Sequence, residues 1–240
     1  MKDELYKDPL VQPEKFEFSD KVAAVFNDMI RRSVPYYEAN QIMTAQMAAE
    51  FYIDKSNIYD LGCSTGKTAQ CIGQAFASRH FFYKGIDNSP SMIDRANLAL
   101  EKLPDNQAVE FIAANIEDFP FENASVFISS YTLQFIAPEK RLSLLKRIYS
   151  ALSTKGVFLL SEKVIETESV FSKIFAEMHH NMKKAHGYSD TEIIQKRDAL
   201  EDVLIPNTTE QNISLLKEAG FQKIAIYHKW YNFASYIALK

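Results

Sequence analysis

Asp60, Gly62, Gly66 and Asp87 stand out by their side chains, or the lack of one, and by the intervals between them. The run Asn57-Ile58-Tyr59-Asp60-Leu61-Gly62-Cys63-Ser64-Thr65-Gly66-Lys67 is a short apolar strand that ends in an acid and breaks into a loop of small residues. Ile58 and Tyr59 suit a buried strand, Gly62 permits a sharp exit, and Gly66 lets backbone approach a ligand or open a helix packed tightly on a sheet. A glycine loop alone says little, because any strand-to-helix turn can use glycine. A second apolar run, Phe81-Phe82-Tyr83-Lys84-Gly85-Ile86-Asp87, adds weight. It ends in an acid about 20 to 25 residues beyond the glycines, where nucleotide-binding folds place the carboxylate that takes the ribose. The loop is not a pyrophosphate cradle: its glycines are not spaced G-x-G-x-x-G, and Asp60 would repel a phosphate. Nor is it a P-loop, since Gly62 to Gly66-Lys67 is one residue short of G-x-x-x-x-G-K-[ST]. An acid so near the loop suits a cationic ligand.

Apolar runs and helix punctuation supply the elements that must hold this loop. Strands are expected near 57–61, 81–86, 109–113, 125–130 and 156–161, with helices near 67–77, 90–103 and 138–152 between them. Ser89 can cap the second helix and Pro90 fits its first position, Pro138 opens the third, and Lys155-Gly156 turns into the fifth strand. A helix stopped by Gly220 leads to strands over 223–229 and 232–239. Residues 20–52 read as two helices, and residues 165–204 as a helical insertion that could build a substrate pocket. This alternation implies an α/β doubly wound parallel sheet in a single domain over 1–240.

Composition narrows the function classes. The 240 residues are 47% hydrophobic, enough to bury a full core, and the net charge of −4 gives no footprint for a large polyanion. Direct nucleic-acid binding is therefore not expected. Lys140, Arg141, Lys146 and Arg147 form a local basic cluster, read as the solvated outer face of a helix whose stripe is Leu142, Leu145, Ile148 and Leu152. Neither a membrane span nor a signal peptide is apparent, so a soluble cytoplasmic protein is expected. Cys63 and Cys71 are too few for a disulfide framework, and Cys63 reads as a small loop residue rather than a nucleophile. His179, His180 and His186 invite a metal reading, but adjacent helical residues diverge and no acidic set completes a site, so none is expected.

The strand-acid-Leu-Gly-x-x-x-Gly arrangement resembles the first motif of class I S-adenosylmethionine-dependent methyltransferases, whose cofactor carries a sulfonium and an ammonium. The helix, strand and hairpin return at 215–239 resembles their antiparallel seventh strand. The resemblance implies a Rossmann-like sheet with an antiparallel C-terminal strand and added helices. Beyond this, Asp28-Met29-Ile30-Arg31-Arg32-Ser33-Val34-Pro35, Ile86-Asp87-Asn88-Ser89-Pro90, Tyr131-Thr132-Leu133-Gln134-Phe135, Leu160-Ser161-Glu162-Lys163, Met178-His179-His180 and Gln195-Lys196-Arg197 resemble the carboxy-S-adenosylmethionine synthase family over nearly the whole chain. That family converts S-adenosylmethionine and prephenate into carboxy-S-adenosylmethionine and phenylpyruvate, without a metal. Its product serves a partner tRNA carboxymethyltransferase that modifies wobble uridine.

The resemblance implies cofactor contacts at Tyr37, Gly62, Cys63, Ser64, Asp87, Asn88, Asn115, Ile116 and Ser130. Backbone of the 62–64 loop would meet the methionine part, Asp87 the ribose hydroxyls, and Asn88, Asn115 and Ile116 the adenine. The family often has an acid at 115, and relatives can carry Asn at 130. By spacing alone, Arg197 would form an exposed pair with Glu201. The resemblance instead implies that Arg197 binds the product carboxylate and reaches a neighbouring subunit's site, hence a homodimer. Glu162 and Lys163 fit either a pocket or a surface turn. An ordinary methyltransferase acting on tRNA or a small molecule would use the same loop, as would a noncatalytic binding partner of the tRNA-modifying enzyme.

Overall fold

The β-branched and aromatic runs become β1 (Asn57–Leu61), β2 (Phe82–Asp87), β3 (Ala108–Ala113), β4 (Ala124–Ser130), β5 (Leu152–Ile165), β6 (Asn207–Thr208), β7 (Lys223–Trp230) and β8 (Phe233–Leu239). The computed structural model describes residues 1–9, 13–77, 79–100 and 107–240. One sheet runs in the order β3-β2-β1-β4-β5-β8-β7, with the two-residue β6 pairing β5 off that path. The first five strands of that order are parallel, whereas β8 is antiparallel to both β5 and β7. Because β1 lies between β2 and β4, the order reverses there, and a crevice opens at the carboxyl ends of those three strands.

Side chains alternate along each strand, and both faces are apolar because both are covered. Ile58, Val126, Ile128, Val157 and Leu159 pack toward α2 (Tyr37–Phe51), α3 (Lys67–Phe76) and α4 (Pro90–Leu100). Tyr59, Leu61, Phe127, Phe158 and Leu160 pack toward α5 (Pro138–Ala151) and α8 (Thr209–Ala219). Ahead of the sheet stands α1 (Asp20–Ser33), and the insertion holds α6 (Ser169–Ala185) and α7 (Asp190–Ala199). At the start of α4 the Ser89 hydroxyl accepts from Met92 N at 3.4 Å, as its capping position requires. The expected end of that helix at 101–103 lies outside the described residues.

Three expectations are corrected. Strand β5 begins at Leu152 rather than 156, and Lys155 takes the left-handed backbone there with φ 70°. Gly156 is needed for space, since a Cβ on it would lie 2.9 Å from Leu152 Cδ2. The basic cluster of α5 is only half a solvated face: Lys140 and Lys146 are exposed, whereas Arg141 and Arg147 turn inward. Arg141 is 1% exposed, and its guanidinium donates to the carbonyls of Ile136, Gln134 and Ile205 and to Asn207 Oδ1. Arg147 turns to the carbonyls of Ile116, Glu117 and Phe119. Helical periodicity cannot show that neighbouring loops aim carbonyls at these positions. Third, Arg197 pairs with Asp198 and not with Glu201, because α7 ends at Ala199 before the i, i+4 geometry is completed.

Two devices fix the crevice. Asn40, fully buried on α2, donates through Nδ2 to Ser161 Oγ at 3.0 Å and to Tyr131 Oη at 3.3 Å, and its Oδ1 accepts from Ser235 Oγ at 2.9 Å. One amide thus ties the helix to β5, β8 and the turn after β4. At the exit of β1, Gly62 has φ 75°, and a Cβ there would stand 2.2 Å from Thr132 Oγ1. Replacing Asn40 by Leu, which leaves those hydroxyls without their partner, is expected to cost about 3 kcal/mol of unfolding free energy in urea titrations. Gly62→Ala, strained in backbone and colliding with Thr132, should cost about 2–4 kcal/mol by the same measurement.

Candidate active site

The crevice deepens into a cavity of about 770 Å³, within the range of small-molecule sites. Its wall near the sheet is built from strand ends. The N–H groups of Gly62 and Cys63 both donate to Ile86 O, at 2.8 and 3.1 Å, and Ser64 N donates to Asp87 Oδ2 at 3.0 Å. The three amides expected to meet a ligand are therefore turned inward. What the loop has left is acceptor capacity, which disfavours a phosphate and suits an ammonium. Thr65 Oγ1 donates to Asn27 Oδ1 at 2.6 Å and so anchors the loop to α1.

Asp87 borders the cavity while only 8% exposed. Burial pushes its carboxyl above the usual carboxylate range, and the N–H groups of Ser89 and Ser64 work against that shift. Each oxygen accepts one of these bonds, which leaves lone pairs for two hydroxyl donors. Asn88, Asn115, Ile116 and Ser130 border the same cavity, as do Gly62, Ser64 and Arg197. The Asn115 side chain is engaged locally, with Oδ1 accepting from Glu117 N at 3.0 Å and Nδ2 donating to Glu117 Oε2 at 3.3 Å. Ser130 Oγ is buried with no partner among the described residues, a hydroxyl that a ligand in the cavity would satisfy.

Tyr37 and Cys63 do not border the cavity. Tyr37 packs against Val34, Tyr131 and Phe233, and burial, then the nearby Asp60, pushes its phenol well above the ordinary tyrosine range. Cys63 is buried beside Gly85, and burial pushes its thiol well up, which leaves it inert as a nucleophile. Asp60 also stands behind the wall. It accepts from Tyr83 Oη, and burial holds its carboxyl up at about 6. Its charge reaches a ligand only through the loop.

The opposite wall comes from the N-terminal segment and the insertion. Phe18 packs edge-on to Phe16 and Phe135, with centroids 5.1 and 5.2 Å apart, and all three border the cavity. Arg32 staples the insertion to α1: its Nε donates to His186 O at 2.8 Å, its Nη1 to Asp3 O and Asp28 Oδ2, both at 3.1 Å, and its guanidinium lies 3.7 Å from the Tyr188 ring centre. Tyr188 Oη in turn donates to the buried Asp3. A capping box between Ser189 and Glu192 starts α7 and so orients Lys196 and Arg197.

Lys163, Lys183, Lys196 and His179 line this wall, and sequence reasoning gave none of them a role. The available signal was the density of cations in Lys183-Lys184 and Lys196-Arg197 within a helical insertion of otherwise mixed charge. The histidines go separate ways. His179 Nε2 lies 2.8 Å from Ser33 O, His180 pairs with Asp190, and His186 Nδ1 lies 3.2 Å from Arg32 O. Burial, then the Lys183 charge, pushes His179 down to about 3, so its ring is neutral.

A methyltransferase domain family matches residues 58–156. Among solved structures, the plantazolicin methyltransferase BpumL aligns over 93% of this chain and 92% of its own with a TM-score of 0.64 at 15% identity. The S-adenosylmethionine-dependent methyltransferase SibL aligns over 92% and 61% with a TM-score of 0.63 at 16% identity. At such identities these likenesses establish the fold. Sequence relatives go further: a carboxy-S-adenosyl-L-methionine synthase of Nautilia profundicola is 40% identical over 240 residues, 100% of each chain. Another, of Geobacter sp. strain M21, is 42% identical over 99% of this chain and 98% of its own. With its class I sheet, a cavity at the switch point, and this identity sustained from end to end, the chain belongs to the carboxy-S-adenosyl-L-methionine synthase family.

Proposed function

We propose that the protein converts S-adenosylmethionine and prephenate into carboxy-S-adenosylmethionine, phenylpyruvate and water. The observation that carries this reading is a single cavity that joins a buried acid suited to a ribose, Asp87, to a lobe of cations suited to an acidic second substrate. A methyltransferase acting on a neutral acceptor would have no use for that lobe. The residues fit the S-adenosyl group: Asp87 has lone pairs free for both ribose hydroxyls, Ser130 Oγ lacks a partner, and the loop offers acceptors toward an ammonium. When bound, that group supplies a sulfonium methyl whose C–H bonds are acidified by the positive sulfur.

Prephenate becomes aromatic by losing carbon dioxide and its ring hydroxide. The hydroxide takes a proton from the sulfonium methyl and leaves as water. The resulting ylide carbon forms its new bond to carbon dioxide, so every atom and charge is accounted for. The chain's residues position the reactants and exclude water, which would quench the ylide. Arg197 would hold the new carboxylate. Its side chain is 71% exposed, and its recorded partner is the adjacent Asp198, an exposed pairing that a better-placed carboxylate can displace.

A homodimer belongs to the same reading. α6 buries none of its residues in the chain, although Val170, Phe171 and Ile174 give it an apolar face, and a second copy would cover that face while bringing Arg197 toward a neighbouring cavity. Among the described residues no helix is long and apolar enough to cross a membrane. The product would supply a tRNA carboxymethyltransferase in the cytoplasm.

Mass spectrometry of small molecules after incubation with S-adenosylmethionine should reveal a species heavier by one carbon dioxide only when prephenate is present. Unchanged S-adenosylmethionine, or a methylated acceptor, would move the assignment to an ordinary methyltransferase. Arg197→Leu is expected to lower carboxylated product at least tenfold while leaving the Kd for S-adenosylmethionine within a few-fold. Asp87→Ala should do the reverse at the binding step, weakening S-adenosylmethionine about 10–100-fold by calorimetry.

A further inference from the structure

Three ammonium groups in the cationic lobe have no part in the chemistry described so far. Lys163 comes from the end of β5, Lys183 from α6 and Lys196 from α7, and all three border the cavity. They lie near enough to act on one another. Burial, then Lys163, Lys196 and Arg197, pushes Lys183 down to about 8. Burial also lowers Lys163, and it takes Lys196 to about 8 against the opposing pull of Asp3. Compensation is uneven across the three. Lys196 Nζ donates to Ser33 Oγ at 3.1 Å and lies 3.8 Å from Asp3. Among the described residues, no carboxylate is recorded within ion-pair distance of Lys163 or Lys183. His179, wedged beside them and neutral, adds no charge of its own.

Like charges gathered in a partly dry lobe, with a single acid that reaches only Lys196, are unfavourable on their own, and an anion in the cavity relieves them. The reacting carboxylates divide by chemistry. The ring carboxylate must shed its charge as it becomes carbon dioxide, so an ion pair would hold it back in the ground state. The pyruvyl carboxylate keeps its charge from substrate to product. We propose that Lys163, Lys183 and Lys196 seat the pyruvyl carboxylate of the second substrate, and that the departing carboxylate is left without a lysine partner. The assignment rests on the functional reading above, and it gives the lysines a positioning and specificity role distinct from that of Arg197.

The test combines turnover with a binding measurement that needs no turnover. Lys163→Met and Lys183→Met should each raise the KM for prephenate about tenfold or more, with the Kd for S-adenosylmethionine within about twofold. Calorimetry with phenylpyruvate, in the presence of S-adenosylmethionine, should show the same loss of affinity, and Lys183→Arg should recover part of it. Lys184→Met, which removes an exposed partner of Asp190 on the same helix, should change neither constant. If the methionine variants fail to fold, the arginine variants and the salt dependence of phenylpyruvate binding to the wild type carry the test, since a seat of several charges must weaken with salt. An unchanged KM and an unchanged phenylpyruvate Kd, with wild-type turnover intact, would overturn the lysine seat and leave the functional reading standing. Lysine-dependent, salt-sensitive phenylpyruvate binding without turnover of prephenate would support the seat and overturn that reading.

Discussion

One carbonyl, that of Ile86, receives the N–H groups of both Gly62 and Cys63, and the rest of the site is arranged around that double bond. It forces the chain leaving β1 to bend across the end of β2. The bend needs the left-handed backbone of Gly62, and Thr132 occupies the space where a side chain would have been. It also brings Ser64 N onto Asp87, so the carboxylate proposed to receive the ribose is itself a strut of the loop. Loop, acid and the turn after β4 are then one rigid unit, which is what holding a ligand to within a fraction of an ångström requires.

Charge is distributed across the cavity with the same economy. On the sheet side, Asp87 borders the cavity and Asp60 stands behind the loop; on the side of the insertion, lysines and Arg197 line it. A sulfonium and a carboxylate can thus be drawn to opposite ends and held with their reacting carbons between them. His179, which borders the cavity, is held neutral by burial and so brings no competing acid into that space.

The scaffold was legible because strands and helices carry periodic signals. β1 through β4, α1, α2 and the antiparallel return of β8 fall within a few residues of where apolar runs, Pro90, Pro138 and Gly220 place them. The position of Asp87 beside the loop could be read because its distance from the glycines is imposed by a helix and a strand. The three-residue turn at Leu133–Phe135 and the short β6 were not legible, since they exist only through partners such as Glu162, which accepts from Leu133 N, and β5. Arg141 illustrates the limit most clearly. Its position on a helix wheel said surface, yet backbone carbonyls from 134, 136 and 205 converge on it from loops remote in sequence. The lysines of the cationic lobe share that difficulty, because β5, α6 and α7 meet only in the folded chain.

The placement of β8 inside the sheet has a kinetic side. β5 is a fourteen-residue strand, flanked by β4 on one edge, whose other edge is closed by residues 233–239. During synthesis that edge stays unpaired while α6, α7, α8 and β7 are still to be made. A long apolar strand with free N–H and C=O groups invites pairing with other chains. Substitutions that slow the return of β8 would therefore show themselves as poor soluble yield at low denaturant, even when the finished protein is as stable as before.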